Sequence, residues 1–423
     1  MAEVRRGPRA GSCGAVAAAR ALSESGEDMG LTSGFFLDAV IAAVIALPLV
    51  TVLLWGRLRG PRVIRQLQRL VLIALCQGVA VLLAALMINN SYQLYTSWSD
   101  LFGHNGPSGQ IQAAKPVSLT SAQARSVDRP LPNAALFHPD SQMPGEVHAV
   151  ITGAQSKVTG DVVVWLPPQY NQRQYAHTDF PVIQLLSGYP GSPGSWFRSL
   201  KVTDVLAAEV QRLAARPVIL VGAAINVDPP HNPDCSDIPG GPRVATWLAH
   251  DVRDLINSSF RTITDRSGWG LMGYSEGGLC ASKLLLQYPN EFAAAVSMSG
   301  DDHPDGDLLK PGTAAYDENS PLWLLQHRPA PNVALLLTGT LQDGSTAAEA
   351  NEMSLAAKAP TVVERIISAR GGHNAGVWKA AEPATLDWLT THLGQPPKSG
   401  VPAVPNLSGV TGAGSAAGAW ARG

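Results

Sequence analysis

The sequence of 423 residues predicts an α/β fold, a mostly parallel sheet flanked by helices, preceded by two transmembrane helices. From about residue 145, short β-branched runs alternate with helical patterns. Several of these runs are apolar nearly throughout, which is typical of parallel strands that are covered on both faces. Two apolar stretches lie earlier in the chain, the first with a single acid near its start, and each is about the length that crosses the hydrocarbon core of a bilayer.

The strands and helices are predicted from these patterns in chain order. The first two strands are expected to form an antiparallel hairpin, because only a short polar segment separates them. The predicted strands are Val147–Thr152, Val162–Pro167, Val182–Leu186, Val218–Ala223, Gly270–Gly273, Ala293–Met298, Val333–Thr338 and Val362–Ser368. The predicted helices are Thr203–Ala215, Val244–Ile256, Leu279–Tyr288, Thr346–Ala357 and Pro383–Leu393. Ligands of such a sheet bind at the carboxyl ends of its strands.

The two apolar stretches, Phe35–Trp55 and Leu70–Ile88, predict a transmembrane hairpin over residues 35–88. The alternative is a pair of buried core helices, but such helices rarely stay apolar on every side. Arginines separate the two stretches: Arg57, Arg59, Arg62, Arg65 and Arg69. By the positive-inside rule this connection is cytoplasmic, so the domain that follows lies outside the plasma membrane.

The segments outside the transmembrane hairpin and the globular domain are predicted to contribute little to the fold. Residues 1–34 form an N-terminal tail whose arginines conflict with the predicted orientation, and a start of translation at Met29 would remove them. Residues 89–140 are interpreted as a linker and residues 395–423, rich in Gly, Ala, Pro and Ser, as a disordered tail. The globular domain is therefore expected over residues 141–394.

Composition excludes two classes of partner. The net charge is −2 and only 15% of residues are charged, so a nucleic-acid partner is not expected. The four cysteines, Cys13, Cys76, Cys235 and Cys280, include no pair with the spacing of metal ligands. A zinc site is therefore not expected, and no metal or organic cofactor is predicted.

Ser275 is the candidate nucleophile. It stands in Gly273-Tyr-Ser-Glu-Gly277, a G-x-S-x-G segment between an apolar strand and an amphipathic helix. This context is that of the nucleophile elbow of α/β-hydrolases, in which a tight turn exposes the serine at the N-terminus of a helix. A plain strand-to-helix turn is the alternative.

A serine nucleophile needs a base and an acid that follow it in the chain. His373 is the candidate base, because its loop, Arg370-Gly-Gly-His-Asn, comes directly after the last apolar strand. The other histidines after Ser275 are interpreted as a pocket residue (His303), a surface or capping residue (His327) and a surface residue of the last helix (His392). Asp343 is the candidate acid, with an N-cap as the alternative role. The reserve candidates for the acid are Asp301, Asp302 and Glu349.

The oxyanion of the reaction needs two backbone N–H donors. One is expected from Glu276, the residue after the nucleophile. The other is expected from the loop after the strand Val182–Leu186, where Tyr189 is favoured because Pro190 has no N–H. A role for the glycines of this loop in the turn alone is the alternative.

Residues 145–393 resemble the esterase-D-like branch of α/β-hydrolases, which includes the mycolyltransferases of the antigen 85 type. The segments that carry the resemblance are LLSGYPGSPGSW, GYSEGGLCASKLLLQYP, GTLQDG and RGGHNAGVW. The resemblance implies Ser275 as nucleophile, Asp343 as acid, His373 as base, and Tyr189 and Glu276 as oxyanion donors. It also implies a disulfide between Cys235 and Cys280, which an extracytoplasmic domain permits.

These inferences together predict a membrane-anchored, extracytoplasmic serine esterase or acyltransferase. Its substrates would be ester-linked acyl groups, with cell-envelope lipids or glycolipids as candidates because of the location. One alternative is a serine peptidase, since the same three residues cleave amides. The other is a non-catalytic membrane scaffold on the same fold, which has no need to retain all three residues.

Overall fold

The computed structural model describes residues 31, 33–92, 95, 98–102, 110–112, 130–140 and 145–394. The predicted start at Met29, most of the predicted tail 1–34 and the whole of the predicted tail 395–423 lie outside these residues. The strands are β1 Gln110–Gln112, β2 His138–Pro139, β3 Glu146–Thr152, β4 Thr159–Trp165, β5 Val182–Leu186, β6 Ile219–Ala223, β7 Trp269–Tyr274, β8 Ala294–Met298, β9 Ala334–Thr340 and β10 Val362–Ser368.

The α-helices are α1 Gly34–Trp55, α2 Arg62–Tyr92, α3 Trp98–Leu101, α4 Val202–Gln211, α5 Val244–Thr246, α6 Val252–Ser259, α7 Glu276–Gln287, α8 Ala314–Asp317, α9 Pro321–His327, α10 Thr346–Ala356 and α11 Ala375–Thr391. Short π-helical segments, Trp196–Leu200 and Trp247–Asp251, adjoin α4 and α6. Single 3₁₀ turns lie at Ala134–Leu136, Pro168–Asn171, Arg173–Tyr175 and Arg266–Gly268.

All the described strands join one sheet in the order β1-β10-β9-β8-β7-β5-β6-β4-β3-β2. The six strands from β10 to β6 in this order are parallel to their neighbours, and the pairs at either end of the sheet are antiparallel. This confirms the predicted, mostly parallel sheet. The predicted opening hairpin is present as β3 and β4, paired from Glu146 with Trp165 to Thr152 with Thr159.

The order of the strands determines where a ligand can bind. From β5 the chain passes to β6 on one side, and β7, β8, β9 and β10 follow on the other side. Such a reversal of strand order leaves a crevice at the carboxyl ends of the strands beside the reversal. The segments that follow β5, β7, β8, β9 and β10 all begin at this edge.

The sheet has an apolar core on each face, because successive side chains of a strand point to opposite faces. In β7, Leu271 belongs to one core cluster and Met272 to the other. The first cluster packs against α6, α7 and α10, and the second against α4 and α11. Burial on both faces explains why these strands are apolar without alternation.

Helices α1 and α2 are long and apolar enough to cross a membrane. Large apolar side chains point outward along both of them, with Val52 74% exposed and Val81 69% exposed. Their connection covers only residues 56–61, so Arg62, Arg65 and Arg69 lie on α2 and not in the loop as predicted. The Arg69 guanidinium lies 4.7 Å from the ring centre of Trp55, at the end of α1.

One predicted boundary was wrong for a local reason. The last helix begins at Ala375 and not at Pro383, because the Asn374 side chain accepts hydrogen bonds from the N–H groups of Gly376 and Val377 and caps it. Pro383 lies inside this helix. The predicted linker also contains structure, since Gln110–Gln112 pairs antiparallel with β10 at Arg365–Ile367.

Candidate active site

The turn between β7 and α7 holds Ser275 in a conformation that few residues adopt. Its φ is 56° and its ψ is −130°, and its N–H donates to Met298 O at 2.8 Å. The flanking glycines make the turn possible, because a Cβ at Gly273 would lie 1.8 Å from Gly277 O and a Cβ at Gly277 would lie 2.1 Å from Leu186 O. Strained backbone of this kind persists only where the surroundings hold it, and it presents the side chain at the end of the helix.

Ser275, His373 and Asp343 form a continuous chain of hydrogen bonds. His373 Nε2 lies 2.7 Å from Ser275 Oγ. Its Nδ1 lies 3.0 Å and 3.2 Å from the two carboxylate oxygens of Asp343. The Asp343 carboxylate is buried and does not cap α10, whose N-cap residue is Ser345. The three side chains that the sequence singled out are therefore brought together.

The other candidate bases and two of the reserve acids are engaged elsewhere, whereas the third reserve acid, Asp301, lines the cleft that contains Ser275. His303 pairs with Asp302, and the N–H of Asp302 donates to Glu349 Oε2 at 3.2 Å. His327 and His392 each approach a backbone carbonyl of their own helix through Nδ1. His303 is also absent from the lining of the cleft at Ser275, contrary to the interpretation as a pocket residue.

The environment of His373 favours its protonated form. Burial lowers the pKa of the imidazole, but the hydrogen bond and charge of Asp343, together with the charges of Asp301 and Asp305, outweigh it. The pKa of His373 is therefore raised above the ordinary value of 6.5. Burial, followed by the charges of Glu349 and Asp305, raises the pKa of the Asp301 carboxyl to about 7.

Two backbone N–H groups flank Ser275. Glu276 is the first residue of α7, where an N–H has no acceptor within its own helix. Tyr189 follows Gly188, at which a Cβ would lie 2.9 Å from Ser275 Cβ, so the loop passes directly over the serine. Across the described parts of the chain, neither the Tyr189 N–H nor the Glu276 N–H donates a hydrogen bond. The Tyr189 hydroxyl instead donates to Pro230 O at 2.8 Å.

A cleft of about 950 Å³ opens over Ser275. Its walls come from the loops that follow the parallel strands, as the reversal of strand order predicts. The lining includes four acidic side chains besides Asp343, namely Glu276, Asp301, Asp305 and Asp307. Burial, with the charges of Asp234 and Asp305, raises the pKa of the Glu276 carboxyl well above its usual value.

Trp378 is part of the site, and sequence reasoning missed it. Its indole lies edge-on to His373, with ring centres 5.1 Å apart, and stacks on Tyr274 at 4.5 Å. It lies one turn into the helix that Asn374 caps, so a single short segment fixes both the imidazole and the ring beside it. The signal was present in the spacing of the segment itself: a tryptophan five residues after the histidine reaches back over it from the first turn of a helix.

Cys235 and Cys280 form a disulfide, with 5.7 Å between their Cα atoms. It joins the loop that follows β6 to the helix that begins after Ser275. Glu276 also lies close to these sulfur atoms, but the cysteines are occupied by the disulfide. Asp302, His303 and Glu349 form a second group, whose side-chain atoms are close enough together to bind a metal ion. This group is separate from Ser275, His373 and Asp343.

Comparisons with known proteins agree with this architecture. A family described as "Putative esterase" matches residues 156–386. An uncharacterized protein of Corynebacterium glutamicum is 26% identical over 257 residues, which is 55% of this chain and 58% of that protein, so the match spans less than two thirds of this relative.

Two solved structures show the same fold. A ferulic acid esterase is 22% identical, with a TM-score of 0.50, over 59% of this chain and 98% of that one. An S-formylglutathione hydrolase from Agrobacterium tumefaciens is 15% identical, with a TM-score of 0.50, over 59% of this chain and 95% of that one. Because the family match covers more than half of its residues, the chain belongs to this esterase family of α/β-hydrolases.

Proposed function

We propose that this protein is a membrane-anchored serine esterase or acyltransferase that acts on ester-linked acyl groups. The observation that carries the proposal is the contact of 2.7 Å between Ser275 Oγ and His373 Nε2, at a strained elbow and with Asp343 behind the imidazole. A non-catalytic scaffold does not require this alignment of three side chains. The hydrolase unit of the proposal is residues 141–394.

In the proposed reaction, Ser275 Oγ attacks the carbonyl carbon of the ester while His373 Nε2 takes its proton. The tetrahedral intermediate collapses, and the leaving alcohol receives that proton from His373. Water or a second alcohol then attacks the acyl-Ser275 ester and loses a proton to His373. When this second tetrahedral intermediate collapses, His373 returns the proton to Ser275 Oγ, and an acid or a new ester is released. Throughout, Asp343 holds the Nδ1–H tautomer and stabilises the imidazolium.

The amides of Tyr189 and Glu276 are the proposed oxyanion donors. Both N–H groups lie beside Ser275 and lack acceptors in the described chain, so they are available to the negative charge that develops on the carbonyl oxygen. The N-terminus of α7 favours the same charge.

A comparison of an ester substrate with an amide substrate distinguishes an esterase from the alternative, a serine peptidase. We expect the full-length protein in detergent to hydrolyse p-nitrophenyl butyrate and to leave a p-nitroanilide peptide series uncleaved. The two leaving groups are reported by similar absorbance, so one instrument compares both bonds. Cleavage of the anilides with catalytic efficiency similar to that for the ester would establish the peptidase.

The proposed pH dependence follows from the raised pKa of His373. The base must be neutral to take the serine proton, so kcat/KM should rise with pH with a midpoint above 6.5. Asp301 is among the charges that raise this pKa, so Asp301→Asn should move the midpoint to lower pH. A pH–rate profile of the ester reaction measures the midpoint of the wild type and that of the variant. A midpoint that Asp301→Asn leaves unchanged or raises would contradict the assignment of this midpoint to His373.

The proposed location is the plasma membrane, with α1 and α2 spanning it and the hydrolase unit outside the cytoplasm. The support is the length and outward apolar faces of the two helices, together with the arginines at their connection. This orientation favours lipids or glycolipids of the cell envelope as substrates. It also suits a disulfide, which persists in oxidising compartments.

The orientation predicts which cysteines a membrane-impermeant maleimide reaches in intact cells. In a background with Cys13→Ala and Cys76→Ala, we expect Leu213→Cys to be labelled, because this side chain is 90% exposed on the hydrolase unit. Arg59→Cys, in the connection between α1 and α2, should be labelled only after the cells are permeabilised. The reverse pattern would place the hydrolase unit in the cytoplasm.

A further inference from the structure

Helix α7 contains a fully buried lysine, Lys283, which the proposed mechanism does not use. Burying an ammonium is strongly unfavourable unless its charge is paired and its three N–H donors find acceptors. Burial lowers the pKa of Lys283, and the charges of Asp234 and Glu276 oppose this effect. The contacts that pair Lys283 Nζ reach the segments that form the walls of the cleft.

The three donors of Lys283 bind two separate segments of the chain. Nζ donates to Asp234 O and to Ser236 Oγ, both in the segment 228–242. It also donates to Asn319 Oδ1 at 3.0 Å, in the segment 301–320. The lysine therefore connects both segments to the helix that begins directly after Ser275.

Asp234 extends the same network. Its carboxylate accepts the Gly306 N–H at 3.0 Å and 3.2 Å, which joins the two segments to each other. Asp234 and Cys235 have φ values of 46° and 53°, in the left-handed region that non-glycine residues rarely adopt. Two consecutive residues of this kind need external support, and the Lys283 hydrogen bond to Asp234 O supplies part of it.

These two segments form much of the cleft wall. The first contributes Pro230 and Asn232, and the second contributes Asp301, Asp305 and Asp307. The disulfide at Cys235 attaches only the first segment to α7, and Gln287 Nε2 attaches only the second, through Glu318 O and Asn319 Oδ1. Lys283 attaches both. We propose that Lys283 is the positioning residue that sets the shape of the substrate cleft by holding both segments on α7. This inference rests on the proposed function, since it concerns the cleft of the same serine.

The test separates the shape of the cleft from the reactivity of Ser275. Lys283→Met keeps the length of the side chain and removes its donors and charge. Because this leaves Asp234 buried beside no cation, Lys283→Met with Asp234→Asn is the second variant. Lys310→Met, at an exposed lysine of the segment 301–320, is the matched control. Each full-length variant is assayed with p-nitrophenyl butyrate for KM and kcat and with a small fluorophosphonate for the labelling rate of Ser275.

We expect KM to rise by about 10-fold or more in the double variant, with the labelling rate within about 3-fold of the wild type, because a small misplacement of binding groups is costly while the triad stays intact. Lys310→Met should match the wild type in both. Hydrogen exchange should become faster in 228–242 and 301–320 but not in β7. An unchanged KM in the folded double variant, or equal losses of labelling and turnover, would overturn the inference. A wild type that is not labelled would instead refute the proposed function.

Discussion

Ser275→Ala is expected to abolish fluorophosphonate labelling and to lower kcat for p-nitrophenyl butyrate by about 10⁴-fold or more, the loss typical of removing a triad nucleophile. The substitution deletes only Oγ, the atom that lies 2.7 Å from His373 Nε2. The backbone of the elbow is held by the hydrogen bond from the residue 275 N–H to Met298 O, which alanine retains. The measurement is the initial rate of nitrophenol release, together with gel detection of the labelled protein.

A matched control is available on α10. Ser354 is half-buried on that helix and is not among the residues that line the cleft, so Ser354→Ala should keep both labelling and turnover. Thermal melting should show that Ser275→Ala is folded, because the lost hydroxyl contributes one hydrogen bond at most, about 1 kcal/mol. A folded Ser275→Ala protein that still turns over the ester at the wild-type rate would reject the serine mechanism.

Much of the fold was predictable because it depends on local pattern. Val182–Leu186 and Val362–Ser368 have the predicted bounds, since each is rich in β-branched residues and is followed by a segment that contains glycine. The last helix was predicted only from Pro383 onward, so its start at Ala375 was missed. The amide of Asn374 decides that start, and a cap is recognised only when the first turn it serves is known.

The three hydrogen-bonded side chains of the site were predictable for a different reason. Ser275, Asp343 and His373 each follow a separate parallel strand, and the carboxyl ends of parallel strands meet at one edge of a sheet. The walls of the cleft depend on contacts between distant segments, such as the one between Lys283 and Asp234 O, 49 residues apart. No local periodicity encodes such a pair, and a lysine in a helical pattern is ordinarily interpreted as a solvent-exposed residue.

Asp343→Asn is expected to lower kcat by about 10³- to 10⁴-fold while KM changes little, because an asparagine in the place of the triad acid stabilises the wrong tautomer of the base. The carboxylate accepts from His373 Nδ1 at 3.0 Å, and an amide nitrogen at the same place would donate to it instead. The charge of Asp343 also raises the pKa of His373, so the midpoint of the residual pH–rate profile should move to lower pH.

The competing carboxylates provide the controls for this assignment. Asp302 pairs with His303, and Glu349 accepts from the Asp302 N–H, so neither contacts His373. Asp302→Asn and Glu349→Gln should therefore retain kcat within about one order of magnitude, a loss well short of that for a triad member. If Glu349→Gln were the variant that lost activity by 10³-fold while Asp343→Asn remained active, the acid of the triad would be Glu349. The pH–rate profile separates the two cases independently of the rate. Asp343 is hydrogen-bonded to His373 Nδ1, so Asp343→Asn should lower the pKa of His373 by removing both a hydrogen bond and a charge.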